Sequence, residues 1–536
     1  MQTLKNRWSN NPLAVALAIL SLIVIVPHSE QLLGAVSGQR HFAAKVLVDK
    51  NPLGLEWSTE LATILAREDA DEPVPDDRIT LTKIASYGRG ELRQKDHLPV
   101  LILRGSYFEM GEQYGHLAGD QVVSMLRLFD DLAERESSGL LPRAVQVRMR
   151  RWLGDLFEPH FPESARAMME GMVSGAAQAG ITLHPSDINF LNSLIDIAGI
   201  GSTNLSFSSD GWGAASALVA LVRREVGTSW IAQNCNTFAA WGRRTEEGKT
   251  FQTRNTDIAV GLGLEQHPLV YIAFPEQDGP QDPQVLLPYT AAGFAGQVGA
   301  STGLNAAGVG LGQVWAFSRT KSIGIPWSLL MIDVLSKARS APEATKLLVA
   351  QRTSPHTYGN NFTFADAQGN GLAVELNPLT HAIFRDGDVG EVAEGRMSDG
   401  RVWAVPLPDA VVRADFSMSR KIRSDQTSAK GPHGYPPEAS SYRLRYAGQI
   451  KRILGFEKME RRIGAREAMV ISRATADRKS GNMQLAVYAN TDRRMWVSYA
   501  TNRNGSIRQA FENPFVLIPF DAVLNEMAPE VGMFHY

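Results

Sequence analysis

An α+β fold is what the sequence predicts, on two observations. After Trp230, short apolar runs of strand length are separated by Gly- or Asp-containing turns, and pairs of helical stretches interrupt them. Ahead of that point, from Glu112 to Ala179, the apolar spacing is mainly helical. Strand runs with helical pairs between them suggest α+β layering.

The elements follow in order. Residues 36 to 90 mix short apolar patches with the acidic, proline-containing stretch Glu68 to Asp77, which reads as linker. Leu98 to Arg104 is strand-like, and helical patterns cover Glu112 to Arg135, Arg143 to Phe157 and Ser164 to Ala179. Gly199 to Ser209, rich in Gly, Ser, Thr and Asn, reads as a loop. Strands are expected at Phe238 to Trp241, Thr250 to Arg254, Leu269 to Phe274, Gly293 to Ala300 and Val309 to Ala316, then helices at Ser328 to Lys337 and Pro342 to Gln351. Phe362 to Ala365 and Leu372 to Leu376 flank a turn-rich connector and form a hairpin. Residues 387 to 439 are rich in Gly, Pro and charge and read as an excursion or lid. Helices return at Ser441 to Leu454 and Ala465 to Arg473, followed by strands at Met483 to Tyr488 and Met495 to Ala500.

Composition narrows the function classes. A chain of 536 residues with 44% hydrophobic and 21% charged content has ordinary globular proportions. Its net charge of -2 and lack of a basic stripe argue against a nucleic-acid partner. The 11 histidines are scattered singly, and neither common phosphate-cradling loop is present, so no metal and no cofactor is expected. With 1 cysteine, neither an intramolecular disulfide nor a multi-thiolate metal site can form.

At the amino terminus, Lys5 and Arg7 precede an apolar run from Leu13 to Val26 closed by Pro27. That is the layout of a secretory signal, and the run is shorter than the ~20 residues that cross a bilayer comfortably. Residues 1–35 are therefore a cleaved signal or a retained membrane tether through 13–26. Either reading places the body of the chain outside the cytoplasm.

A lone cysteine is ordinarily a small buried hydrophobe, but the neighbours of Cys235 suggest more. Asn234-Cys235-Asn236-Thr237-Phe238-Ala239-Ala240-Trp241-Gly242 and the following Thr250-Phe251-Gln252-Thr253-Arg254-Asn255-Thr256-Asp257 read as strand, turn, strand. A hairpin of this length can return Arg254 and Asp257 beside the thiol, and a cation there favours the nucleophilic thiolate. No histidine is near in sequence; a partner of that kind would come from His267 or His356. A different base appears if the bond between Asn234 and Cys235 breaks. The freed α-amine, with a reference pKa of about 7.7 to 8.0, can take the thiol proton itself.

This stretch resembles the isopenicillin N acyltransferase family of N-terminal-nucleophile hydrolases, with penicillin V acylase, bile salt hydrolase and acid ceramidase among its relatives. The shared pattern is a cysteine, a short strand, a Gly turn and an Arg-Asn-x-Asp motif, here Arg254-Asn255-Thr256-Asp257. Gly105 to Gly115, Gly303-Leu304-Asn305-Ala306-Ala307-Gly308 and Asn361-Phe362-Thr363-Phe364-Ala365-Asp366, continuing to Glu375, resemble further family segments in the same order. Asn236 stands where many relatives carry Ser or Thr, and Asn234 where Gly or Asp is commoner.

The resemblance implies a four-layer αββα sandwich with a mainly helical pro-region (98–234), a linker or extension (36–97) ahead of it, and a catalytic chain (235–536). It implies Cys235 as nucleophile, its freed amine as base, and Asp257 holding that amine. Arg254 would support the thiolate and the Asp257 carboxylate. Asn361 would donate to the oxyanion, with backbone N–H groups near Gln313 as second donor and Asn305 in a supporting turn; Arg443 would be a late active-site arginine. The substrate would be a small acylated amide or ester, with the two cleaved chains remaining associated. Two alternatives compete. One is a membrane-anchored scaffold or binding protein that keeps the fold unprocessed. The other uses Ser301, because Gly299-Ala300-Ser301-Thr302-Gly303 matches the Gly-x-Ser-x-Gly letters; that elbow requires a helix to follow, and none is expected.

Overall fold

The structure, a computed structural model, describes residues 59–73, 75, 77–136, 141–201, 234–276, 285–316, 318–320, 322–350, 357–396, 402, 404–426 and 441–531. The amino-terminal segment 13–26 lies outside these residues. Two sheets dominate. The larger has ten strands in the order β1 (Thr82–Tyr87), β2 (Gly90–Lys95), β3 (Leu98–Gly105), β6 (Pro268–Pro275), β7 (Tyr289–Phe294), β8 (Gly303–Asn305), β9 (Gly310–Trp315), β10 (Asn360–Ala365), β11 (Gly371–Asn377) and β12 (Thr380–Arg385). The smaller has six, in the order β13 (Ala410–Ala414), β4 (Asn234–Ala240), β5 (Phe251–Asp257), β14 (Gln484–Ala489), β15 (Arg494–Tyr499) and β16 (Val516–Ile518). β9 and β10 of the larger sheet lie against β4, β5 and β13 of the smaller, so the sheets pack face to face.

Helices cover both outer faces. α1 (Thr59–Asp71), α8 (Ser441–Lys458) and α9 (Ala465–Ala474) form one layer, with α8 on β13 and β4, and α9 on β14 and β5. On the larger sheet lie α2 (Tyr107–Glu136), α6 (Trp327–Lys337) and α7 (Ala341–Ala350), joined by α3 (Arg143–Asp155), α4 (Glu163–Gln178) and α5 (Pro185–Gly201). The last helix, α10 (Phe520–Val531), packs beside β15. This is the expected four-layer αββα sandwich with its helical region ahead of Cys235. Among the described residues no helix is long and apolar enough to cross a membrane.

Four readings change. The presumed linker contains α1 and the β1–β2 hairpin, which extends the larger sheet. Gly199 to Gly201, expected to open a loop, still belong to α5, a helix that is apolar enough to be buried on several sides and so lacks a clear polar face; the rest of that stretch lies outside the described residues. The 387–439 excursion contains β13, which pairs antiparallel with β4 and forms the edge of the smaller sheet. Strand β7 also sits earlier than the expected Gly293 to Ala300, because Ala295 and Gly296 turn the chain.

The part before Cys235 is built into the part after it. β3 runs parallel to β6, with Val100 opposite Val270 and Ile102 opposite Ile272, all buried. Above β3, α2 crosses α4 at backbone contact. A Cβ on Gly115 would stand 1.9 Å from the Met172 carbonyl oxygen, and one on Gly175 the same 1.9 Å from that of Glu112. Only glycine fits such a crossing. Gly115→Val is expected to destabilise the chain by about 3 kcal/mol or more through overpacking, read as a lowered midpoint in thermal or denaturant unfolding; an unchanged midpoint would disprove the close crossing.

Candidate active site

Strand alternation sorts the β4 side chains. Thr237 faces the larger sheet, where its hydroxyl meets that of Thr363 at 2.7 Å, while Phe238 and Ala240 enter the core beneath α8 and α9. Cys235, two residues before Thr237, shares the Thr237 face. It lies opposite Thr256 in the β4–β5 ladder, and Asn234 lies opposite Asp257. The hairpin thus returns Arg254 and Asp257 to the thiol, as its length predicts.

Arg254 crosses the space between the sheets. Its Nε donates to the Gln313 carbonyl at 3.2 Å and its Nη2 to Gln313 Oε1 at 2.9 Å; Nη1 reaches the Thr302 hydroxyl at 3.0 Å and also that of Thr256. Every one of these acceptors is neutral. Among the described residues no carboxylate pairs with Arg254, although its side chain is buried. A guanidinium keeps its charge under burial, so this cation stands ready for an anion that forms nearby. The Cys235 thiol feels it, as do the phenols of Tyr358, Tyr488 and Tyr499: the thiol is pushed up to about 12, chiefly by burial, with Arg254 pulling it down and Asp415 and Asp257 pushing it up.

On the other side of the Cys235 backbone is an anionic cluster. The Cys235 N–H donates to Asp415 Oδ1 at 2.7 Å. Arg445, on α8, lies 2.5 Å from Asp415 Oδ2, 2.9 Å from Asp477 and 3.9 Å from Asp257. Asp257 Oδ1 accepts from the Asp477 N–H at 3.1 Å and from Asn482 Nδ2 at 2.8 Å, whereas its Oδ2 accepts no hydrogen bond. Burial raises both Asp257 and Asp415 to about 7 against the pull of Arg445, and Asp477, hydrogen-bonded by Ser480 and two backbone N–H groups, is lowered.

The remaining sequence candidates fall in two groups. Gln313 bonds Arg254 and donates to Asn360 Oδ1 at 2.6 Å, which places it at the site. Asn361 is there too, but both of its N–H bonds go to backbone carbonyls, those of Ala414 and Phe416, each at 3.0 Å. It clamps the run that carries Asp415. Asn305 instead ties its turn to α6, donating to the Leu335 and Ala338 carbonyls at 2.8 and 2.7 Å. Arg443 lies in the first turn of α8, with its side chain outside the described residues. Arg445, two positions on, occupies the cluster. The cation beside Asp257 is Arg445 and not Arg254. Ser301 precedes β8, so the helix its motif requires is absent.

Asp415, Arg445, Asp477 and Asn482 escape a sequence reading. Ala410-Val411-Val412-Arg413-Ala414 does carry a strand-like apolar run just before Asp415, and that was the available signal. A cavity of about 470 Å³, lined by Glu72, Arg473, Arg478, Arg508 and Phe511, lies beside α1 and not at the thiol.

A match to one family model supports the resemblance. Residues 244–398 match the family model described as acyl-coenzyme A:6-aminopenicillanic acid acyl-transferase, a stretch that holds Arg254, Asp257, Asn305, Gln313 and Asn361 and begins just after Cys235. A curated relative, protein dcd1B of Dictyostelium discoideum, is 22% identical over 268 residues, 49% of this chain and 48% of the relative. The chain therefore spans about half the length of that relative. Solved structures with similarity include an N-acylethanolamine-hydrolyzing acid amidase ortholog of Caenorhabditis elegans, with TM-score 0.31, 15% identity, 48% of this chain and 93% of the other. Penicillin V acylase from Agrobacterium tumefaciens gives TM-score 0.32 and 14% identity over 49% of this chain and 83% of the other. Conjugated bile acid hydrolase from Clostridium perfringens gives TM-score 0.32 and 14% identity over 52% and 95%.

The buried carboxyls carry a pH signature in the uncut chain. Asp257 and Asp415 bind protons more tightly folded, at about 7, than unfolded, at about 3.9. Their contribution to stability is complete below pH ~4 and is lost as pH rises through about 7. In a Cys235→Ala background, thermal midpoints are expected to fall between pH 5 and 8. Adding Asp415→Asn should remove roughly half of that fall; an unchanged fall would show that these carboxyls are not the buried protonated groups.

Proposed function

We propose that this chain is a self-processing cysteine amidohydrolase or acyltransferase, whose nucleophile is Cys235 at the amino terminus of the fragment 235–536. The observation that carries the reading is the placing of the chain's single cysteine in the field of Arg254, a buried cation on the facing strand that no described carboxylate neutralises.

Processing starts with attack of Cys235 Sγ on the Asn234 carbonyl carbon. The C–N bond to Cys235 breaks, a thioester to Asn234 forms, and the nitrogen leaves as an amine. Water then hydrolyses the thioester, giving an Asn234 carboxylate and a free thiol. The new α-amine, at a reference pKa of about 7.7 to 8.0, accepts the thiol proton. Arg254 stabilises the thiolate across the sheet interface. The thiolate attacks the carbonyl of an amide or ester; the ammonium returns its proton to the leaving amine or alcohol; water or another amine then takes the acyl group from the thioester. Asn361 joins the oxyanion hole by exchanging one of its two backbone carbonyls for the substrate oxygen. The thiol is fully buried in the uncut chain, so it serves substrate only after the cut has freed the residues directly ahead of it, with the two fragments still associated.

The parallel pairing of β3 with β6 and their shared core keep the two fragments together after the cut. The amino-terminal apolar segment supports a place outside the cytoplasm.

Mass spectrometry of the purified protein tests this reading. Wild type should appear as two fragments that meet at 234/235 and co-elute in gel filtration, and Cys235→Ala as one uncut chain. Active wild type with an unbroken backbone there would refute it. Arg254→Gln, in protein that has been processed, should lose about 10²- to 10³-fold in kcat/KM on an N-acyl amide, the usual cost of removing one transition-state donor. A loss under about threefold would remove Arg254 from the mechanism.

A further inference from the structure

We propose that Asp415 is the carboxylate that binds the Cys235 nitrogen throughout, first as the amide N–H of the uncut chain and then as the α-ammonium of the processed enzyme. The inference rests on the self-processing reading and adds a residue to it.

The geometry is already set before any bond breaks. Asp415 Oδ1 accepts from the Cys235 N–H at 2.7 Å, and the other oxygen of the same carboxyl is held by Arg445 at 2.5 Å. Asp257 meets this nitrogen less directly: it sits across the ladder from Asn234, with one oxygen occupied by Asn482 and Asp477. The run around Asp415 is fixed from several sides. Asn361 holds the carbonyls of Ala414 and Phe416 and accepts from the Ser417 hydroxyl at 2.8 Å, and Glu375 accepts from the N–H groups of Met418 and Ser419, both at 2.8 Å. A carboxylate clamped on both flanks is a preorganised partner for the nitrogen between them.

Charge explains why cleavage suits this arrangement. Three buried carboxyls, Asp257, Asp415 and Asp477, all lie within 3.9 Å of the Arg445 guanidinium. Cutting the bond between Asn234 and Cys235 converts a neutral amide into an amine that can carry a proton, one hydrogen bond away from Asp415. The groups facing that amine are then Asp415, Asp257, Asp477 and Arg445 on one side, and the Cys235 thiol with Arg254 on the other, with the Tyr358 phenol in electrostatic reach of the thiol. Ammonium beside Asp415 and thiolate beside Arg254 form the reactive ion pair.

Removing the Asp415 charge lowers the pKa of every proton nearby, the ammonium most. On processed enzyme, the alkaline limb of the kcat/KM profile in Asp415→Asn should move down by about one to three pH units. Processing, timed by intact mass, should slow at least tenfold. Asp415→Glu, which keeps the charge, should recover both. If Asp415→Asn stays uncut while melting like Cys235→Ala, the requirement for this carboxylate in processing is met directly. Should Asp415→Asn not fold, the wild-type α-amine is titrated by its rate of acylation; a pKa above that of a free α-amine supports the assignment, and one at or below it overturns it. Wild type that is never cut sinks this inference together with the functional reading. Cut wild type alongside an Asp415→Asn variant of unaltered processing and unaltered pH profile sinks this inference alone.

Discussion

A single hydrogen bond, from the backbone N–H of Cys235 to Asp415, joins the strand that carries the thiol to the edge of its own sheet and to the helical layer behind it. Through Arg445 the same carboxyl reaches α8, and through the Asn361 and Glu375 clamps it reaches the opposing sheet. Buried carboxyls are costly unless bonded or protonated. Here hydrogen bonding offsets part of that cost, and the cluster is confined to the one end of β4 where the proposed cut lies. The fold supplies the location because β4 lies between β13 and β5, so each of its neighbours can deliver a carboxylate to the same residue.

The legible part of this site is the part that is local. Cys235, Arg254 and Asp257 lie on one hairpin, and the length of its two strands dictates that they meet. Asp415 and Arg445 lie far down the chain, Asp415 180 positions beyond Cys235, and no periodicity links such residues. Composition also misled. Gly, Pro and charge across 387–439 hide a five-residue edge strand, β13, whose apolar run is too short to dominate the stretch around it. At the other end, β1 is largely exposed and lacks a buried alternating face, so a linker is the natural reading of a strand that the sheet alone defines. The layered fold was more visible, because strand runs and helix pairs repeat over hundreds of residues. For Asn361 the sequence located the residue and the structure altered its contacts: as a bound clamp it supports Asp415 before it can serve an oxyanion.

The division at Cys235 does not divide the fold. β1 to β3 and helices α2 to α5 precede it, yet β3 completes the larger sheet beside β6. On the opposite layer, Glu68 of α1 pairs with Arg452 of α8 at 2.5 Å, and Glu72 with Arg473 of α9 at 2.7 Å. The segment ahead of the cysteine therefore braces both outer layers, including the helix that bears Arg445. Such bracing means that a cut in the backbone changes the covalent chain without releasing the packing that sets the site.

This arrangement gives burial two opposite effects at one residue. In the intact chain the thiol is enclosed and pushed up to about 12, and the nitrogen that could deprotonate it is an amide with no basic lone pair. The enclosure therefore keeps the cysteine unreactive toward outside acyl groups while leaving it in covalent reach of the neighbouring Asn234 carbonyl. Were that bond cut as proposed, the same low-dielectric surroundings would strengthen the attraction between an ammonium and Asp415, and between a thiolate and Arg254. On the proposed reading, Asp415 and Arg254, which the intact chain holds apart, become the partners of the two ions that cleavage would make available. A precursor that works as proposed would need no separate inhibitor, because its base would not exist until the nucleophile had been used once on its own backbone.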